Sequence, residues 1–235
     1  MKENQFKKWE DLDITDDFIF SRVMRNKKLC RTLLEMILKV KIGKIKFLTS
    51  HHAIRVEPNA KGIIMDVYLK DENRVINVEM QTSNQGDLAR RARYYQAAAD
   101  IDTTPKGSEY QDLKQNYVIF ICTFDPFHKG KPFYTFQNLC LEHGEPIYLD
   151  DGTTKIFLNT NSKDLGNLDL ELRLFYDYVK GNNDQFMDRI HRINQTEDVD
   201  IYFQIFKDTQ YEKMWEICMK KGYVIDQIIK KEAEK

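Results

Sequence analysis

The chain has 235 residues, 42% hydrophobic and 31% charged, with a formal net charge of −1. That is enough chain for a real core, held in one large domain or in a domain with an appendage. The near-zero charge excludes a uniformly basic nucleic-acid binder, although the distribution is uneven. Residues 22–61 hold 11 Lys and Arg against two acids, Glu35 and Glu57, while residues 101–235 carry an acidic excess. No run approaches ~18 apolar residues and the first 13 residues lack an apolar signal segment, so the expectation is a cytoplasmic protein without a membrane span. Cys30, Cys122, Cys140 and Cys218 form no CxxC pair. They read as reduced thiols, mostly buried, rather than a zinc site.

In chain order, Thr15 is placed to cap a helix beginning at Asp16, with Asp16 and Asp17 near its positive end. Asn26-Lys27-Lys28 breaks it, and a second helix follows with Leu29, Leu33, Met36, Ile37 and Val40 at helical spacing and Glu35 at its edge. Residues 42–49 predict the first strand. His51 and His52 are adjacent, so on a strand they would face opposite ways; a loop or surface role is expected, not a shared metal.

The most informative stretch is 62–81, GIIMDVYLKDENRVINVEMQ. Two runs rich in Val, Ile, Met and Tyr flank Asp71-Glu72-Asn73, which predicts a hairpin. A turn centred between Glu72 and Asn73 sets Lys70 opposite Val75 and Asp66 opposite Glu79. Paired positions in an antiparallel ladder have Cβ atoms roughly 4.5–5.5 Å apart. Carboxylates that close repel each other, but the spacing suits a shared hard cation bound through oxygen. Alternation puts Asn77, Glu79 and Gln81 on one face and Ile76, Val78 and Met80 on the other. On a solvated face such acids would be unremarkable; here they interrupt apolar strands from both sides of one turn.

A loop at 82–86 leads to a helix from about Asp87, on which Arg91, Tyr94 and Tyr95 share a face. Arg91 has two readings, a partner for a carboxylate or phosphate, or part of a helix face that packs its aromatics on the sheet with Arg90 and Arg93 solvated; at least one of the tyrosines is expected to pack in the core. Residues 117–123 form a near-continuous apolar run, the mark of a strand buried on both faces. Residues 133–142, 146–149 and 154–158 predict further strands, with Asp151-Gly152 as a hairpin turn. From 167 the period turns helical, with Leu168, Leu172, Phe175 and Tyr176 in one stripe, and helices are expected again through 203–206 and 215–229.

Asp66 followed by Glu79-Met80-Gln81 resembles the D…(D/E)xK signature of the PD-(D/E)XK nuclease superfamily, and in particular its Rpn branch of recombination-promoting nucleases and transposases, where ExQ commonly replaces ExK. Asp17-Phe18-Ile19-Phe20 is similar to the branch's D-F-x-F, residues 91–95 (RARYY) to its R-x-x-Y-Y helix, and Gly107 to Tyr110 to its G-x-x-Y. Met65 stands where the superfamily often has Pro, and Ser21 where the branch often has Lys. The ordered set spans about residues 13–160.

The resemblance implies an α/β fold with a restriction-endonuclease-like core, a mixed central sheet flanked by helices, over residues 1–163; the last third matches no pattern of the family, and its helical period predicts a helical C-terminal extension over 164–235. It implies a DNA endonuclease using Mg²⁺, with Mn²⁺ as a substitute, held by Asp66, Glu79 and the Met80 backbone carbonyl. Gln81 completes the catalytic set. Arg91, Tyr94, Tyr95 and Asp17 would support it, although the helix dipole alone explains an acid at Asp17. Lys61, Arg90 and Arg93 would touch DNA phosphates, or be solvated. DNA is the implied partner, and a homodimer would suit cleavage of both strands. A catalytically silent DNA-binding or protein-interaction module is the alternative. No G-x-S-x-G elbow or P-loop appears, which leaves nucleophile-based and ATP-driven chemistry without support.

Overall fold

In the computed structural model, which describes residues 12–54, 59, 61–142 and 144–181, the expected hairpin lies inside the sheet. Strands β1 (Phe47–Ile54), β2 (Ile63–Lys70) and β3 (Arg74–Gln81) follow one another antiparallel. Asp71 builds the β2–β3 turn. Its Oδ1 accepts the Asn73 and Arg74 amides at 2.9 and 2.7 Å, and Oδ2 accepts the Arg74 guanidinium at 3.1 Å. Because the turn is tight, it sets the register: Lys70 faces Val75 and Val67 faces Val78, as expected.

Helix α1 (Asp17–Met24) and helix α2 (Lys27–Leu38) precede the sheet. After β3, helix α3 (Leu88–Thr103) carries the chain to β4 (Gln115–Cys122), which lies parallel to β3. Strand β5 (Phe133–Phe136) leads into a two-stranded ribbon of β6 (Leu139–Cys140) and β7 (Ile147–Tyr148). Strand β8 (Thr153–Asn159) then inserts between β4 and β5, parallel to the first and antiparallel to the second. The result is a mixed six-stranded sheet in the order β1-β2-β3-β4-β8-β5.

Alternation sorts the core into two clusters. Ile76, Val78 and Met80 of β3 pack with α1, α2 and helix α4 (Leu170–Val179), whose Leu172, Tyr176 and Val179 lie in the same cluster. The other cluster is built on α3 through Leu88, Ala92, Tyr95 and Ala99. β4 separates the two, and Val118 to Cys122 are fully buried, as its apolar run implied. Burial pushes the thiols of Cys30 and Cys122 up to about 12, which suits inert core residues. No described helix is long and apolar enough to cross a membrane.

Several expectations need correction. The first strand runs over Phe47–Ile54, not 42–49; Ile42 and Ile45 are buried from a coil, so their apolar character reflects anchoring and not pairing. His51 and His52 consequently lie in that strand instead of a loop. Helix α1 begins at Asp17 with Asp16 in the capping position, and Thr15 instead bonds Asp13 through both its amide and its hydroxyl. Asn26 caps α2 by accepting the Lys28 and Leu29 amides. Leu29 on that helix is exposed, as is Val40 just beyond it, and Cys30, Leu33, Leu34 and Ile37 form the buried stripe. Residues 133–142 split into β5 and β6. Asp151-Gly152 makes no hairpin, since β7 and β8 belong to different sheets. The expectations for 203–206, 215–229 and Cys218 lie outside the described residues.

Candidate active site

The β2–β3 ladder stops at Val67–Val78, one step short of the two acids. From there the strands part, and each acid reaches across the gap. The Asp66 amide donates to Glu79 Oε1 at 3.1 Å, and the Met80 amide donates to Asp66 Oδ2 at 3.0 Å. Side-chain oxygens thus satisfy backbone donors that a continued ladder would have paired. β2 also changes face here: Ile63 and Met65 pack in the α3 cluster, whereas Val67 and Leu69, of the same parity, pack in the other. Opposite this switch, His51 of β1 takes φ 57, a left-handed conformation rare for a residue with a side chain. The notch holds Asp66 and Glu79 together, as the hairpin register required.

Electrostatics mark the pair. Burial raises the Asp66 carboxyl above the ordinary range, the Asp17 charge adds to this, and the Met80 amide, His51 and Arg91 oppose it. Glu79 is 1% exposed; burial, then the Asp66 charge, raises its pKa more strongly. Two acids this close, Glu79 buried and Asp66 half-buried, cannot both ionise without a compensating cation. The cation nearest Glu79 is Arg91 on α3, with Nη2 3.7 Å from Oε2. The Asn77 amide lies beside Glu79 and favours its charged form, but short of hydrogen-bond geometry.

Arg91 ties the expected residues together. Its Nη1 donates to Gln81 Oε1 at 2.8 Å and its Nη2 to the Tyr95 hydroxyl at 3.2 Å. Its guanidinium also lies 5.5 Å from the Tyr95 and Phe120 ring centroids, so Arg91 meets both the carboxylate and the aromatic packing of its two readings. Tyr95 is the buried tyrosine; Tyr94 is partly exposed and donates to the Lys61 carbonyl at 2.6 Å. Gln81 Nε2 donates to its neighbour's Met80 carbonyl at 2.8 Å. Lys61, Arg90 and Arg93 are exposed. Asp17 bonds neither acid directly; its Oδ2 lies 3.1 Å from His51 Nε2, and it acts on Asp66 through its charge. His51 is the site neighbour that the sequence reading missed. The signal was available in the β1–β2 register, in which His51 falls opposite Asp66, but residues 55–62 do not announce that register.

Among the described residues no group of three or more His, Cys, Asp or Glu side chains is placed to hold a metal ion. The local donor set is instead two carboxylates and one carbonyl. Asp66 Oδ1 carries no hydrogen bond among the described residues, and Glu79 Oε2 has Arg91 only at ion-pair range. Hard oxygen donors, two of them negative and under-compensated, fit a hard divalent cation such as Mg²⁺ that retains waters.

A mixed six-stranded sheet whose inner hairpin opens onto paired acids, with helices on both faces, is an α/β architecture consistent with a PD-(D/E)XK core. A sequence model of the PD-(D/E)XK nuclease family transposases matches residues 15–174, well over half of the chain. The chain belongs to that family of DNA-processing proteins. No curated protein and no solved structure matches it.

Proposed function

We propose that the chain is a metal-dependent DNA endonuclease of the Rpn type, hydrolysing phosphodiester bonds during recombination or transposition-like processing. The observation that carries this reading is the reciprocal Asp66–Glu79 fork at the open end of the hairpin. Asp66, Glu79 and the Met80 carbonyl would hold Mg²⁺, with Mn²⁺ as a substitute; the ion's chemistry is to acidify a bound water and screen the scissile phosphate. Gln81 orients the attacking water through its amide, itself fixed by Arg91. Arg91 offsets charge that develops on the phosphate oxygens, and Tyr95 holds Arg91 from behind. Lys61, Arg90 and Arg93 contact backbone phosphates and position the duplex without reading bases.

Supercoiled plasmid incubated with wild type and Asp66→Ala across Mg²⁺, Mn²⁺, Ca²⁺ and EDTA tests this. Loss of the ion's contribution, several kcal/mol, predicts a fall in nicking on the order of a thousandfold. Full activity in a folded Asp66→Ala protein excludes the site. Calorimetric titration with Mg²⁺ supplies a second readout, binding to wild type and not to the variant.

A catalytically silent DNA-binding or protein-interaction module is the second reading, and Gln81 favours it. An amide neither accepts a proton near neutral pH nor supplies charge, and here its Nε2 rests on the Met80 carbonyl that the ion would share. Such a module would bind no Mg²⁺ at Asp66 and cut nothing.

A further inference from the structure

β4 ends at Cys122 beside Gln81 of β3, and the Thr123 amide donates to the Gln81 carbonyl at 3.0 Å. The loop that follows therefore starts at the edge of the notch. It reads His128-Lys129-Gly130-Lys131, and all three of its side chains are exposed.

Its backbone is held far more tightly than a connection requires. Asp125 turns inward and accepts the Phe127 amide at 3.1 Å, the Gly130 amide at 2.7 Å and the Tyr134 hydroxyl at 2.8 Å. Ser162 donates to the Gly130 carbonyl at 2.8 Å, Asn159 Nδ2 to the Lys131 carbonyl at 3.1 Å, and the buried Tyr176 hydroxyl to the Pro132 carbonyl at 2.6 Å. His128 is fixed at φ 54, in the left-handed region that side chains disfavour. Lys163, next to Ser162, is exposed on the same support. Among the described residues the ammonium groups of Lys129, Lys131 and Lys163 make no hydrogen bond or ion pair. The nearby Asp125 has its oxygens occupied within the loop, and Asp164 is the one exposed acid beside Lys163.

We propose that Lys129, Lys131 and Lys163 form a second phosphate clamp for the DNA backbone, on the flank of the notch opposite Lys61; the proposal rests on the nuclease reading above. Asn159, which holds Lys131, ends β8, two strands from Gln81. At about 4.8 Å per strand the end of β8 that holds Lys131 lies roughly 10 Å from Gln81, within the span of a few phosphates on a duplex whose charges recur every ~3.4 Å of axis per strand. Lys61 precedes β2 on the other side of β3, so the two cationic points straddle the carboxylates. A loop fixed before binding loses little freedom when it engages phosphate. Ammonium groups without bases to read give contact that is independent of sequence.

Fluorescence anisotropy of a labelled duplex in EDTA, across a salt series, tests the clamp on the full-length chain. Each phosphate contact contributes about 0.9 to the slope of log affinity against log salt. Lys129→Ala/Lys131→Ala is expected to lower that slope by about 1.8 and the affinity at low salt by roughly tenfold or more, with an unchanged melting temperature. Lys129→Arg/Lys131→Arg is expected to retain the wild-type slope. In the wild type, duplex DNA should protect Lys129, Lys131 and Lys163 from an amine-directed reagent. Wild-type binding with an unchanged slope in the alanine variant, and no protection, overturns the clamp and leaves the nuclease reading standing. A wild type that binds no DNA in EDTA overturns the clamp, whereas the absence of Mg²⁺-dependent nicking is what overturns the nuclease reading.

Discussion

The two ends of the β2–β3 hairpin each bury carboxylate, to opposite effect. At the turn, Asp71 is 2% exposed, and both of its oxygens are taken up by the Asn73 and Arg74 amides and the Arg74 guanidinium. At the open end, Asp66 and Glu79 face each other, and the Arg91 guanidinium stands 3.7 Å from Glu79. One acid has a full set of donors and a paired cation, which is what makes a buried charge tolerable. The other two share two amides and repel. The same few residues thus contain an arrangement that fixes the fold and one that leaves charge for something else to neutralise.

Removing the satisfied acid should cost the most stability. Asp71→Ala frees two turn amides and leaves the Arg74 guanidinium with the Lys41 carbonyl as its acceptor, a loss expected at about 2–4 kcal/mol. Asp71→Asn keeps one acceptor and should lose less. Urea denaturation of both variants checks this, and an Asp71→Ala protein as stable as wild type would show that the turn is held by its strands alone.

The opposite sign is expected at the open end. Both folded pKa values lie above the unfolded carboxylate range of about 4. The stability that this lends the metal-free protein is fully present below that range and lost as pH rises through the raised values. In EDTA, stability should therefore fall from acid towards neutral pH on account of this pair. Glu79→Gln keeps an acceptor for the Asp66 amide while removing one charge, so it should flatten that dependence. It should also stabilise the metal-free protein at neutral pH by about 1–2 kcal/mol. Added Mg²⁺ should raise the melting temperature of wild type and not of the variant. A destabilised Glu79→Gln protein in EDTA would mean that the pair is compensated after all.

The contrast also explains what could be read from the sequence. The hairpin was legible because a polar turn and the alternation along β3 leave one register, and that register sets Asp66 and Glu79 one step beyond the last paired residues, close enough to bond across the gap. The buried character of β4 was legible from its unbroken apolar run. The limits of β1 were not, because Ile42 and Ile45 are as apolar as strand residues while anchoring a coil. His51 reads as a loop or surface residue and not as part of the site because its place depends on pairing across a long connection and on a left-handed backbone. The same gap hid how Asp17 approaches the site, which is by way of His51. The ribbon of β6 and β7 was misread because a turn signal at Asp151-Gly152 says that the chain reverses, not which strand it rejoins.

The smallest effect tests how far the open end is braced from α3. Tyr94 sits one helical turn from Arg91 on that helix, and its hydroxyl donates to the Lys61 carbonyl at 2.6 Å, at the approach to β2. The bond is partly exposed, so Tyr94→Phe should cost only about 0.5–1.5 kcal/mol. If the hydroxyl also holds Lys61 at a DNA phosphate, the variant's salt slope should shrink by up to about 0.9, while Lys61→Ala abolishes the same contact outright. The two substitutions combined should then lose no more slope than Lys61→Ala alone, because they act on one phosphate. Independent, additive losses would separate Tyr94 from Lys61 and confine the brace to stability.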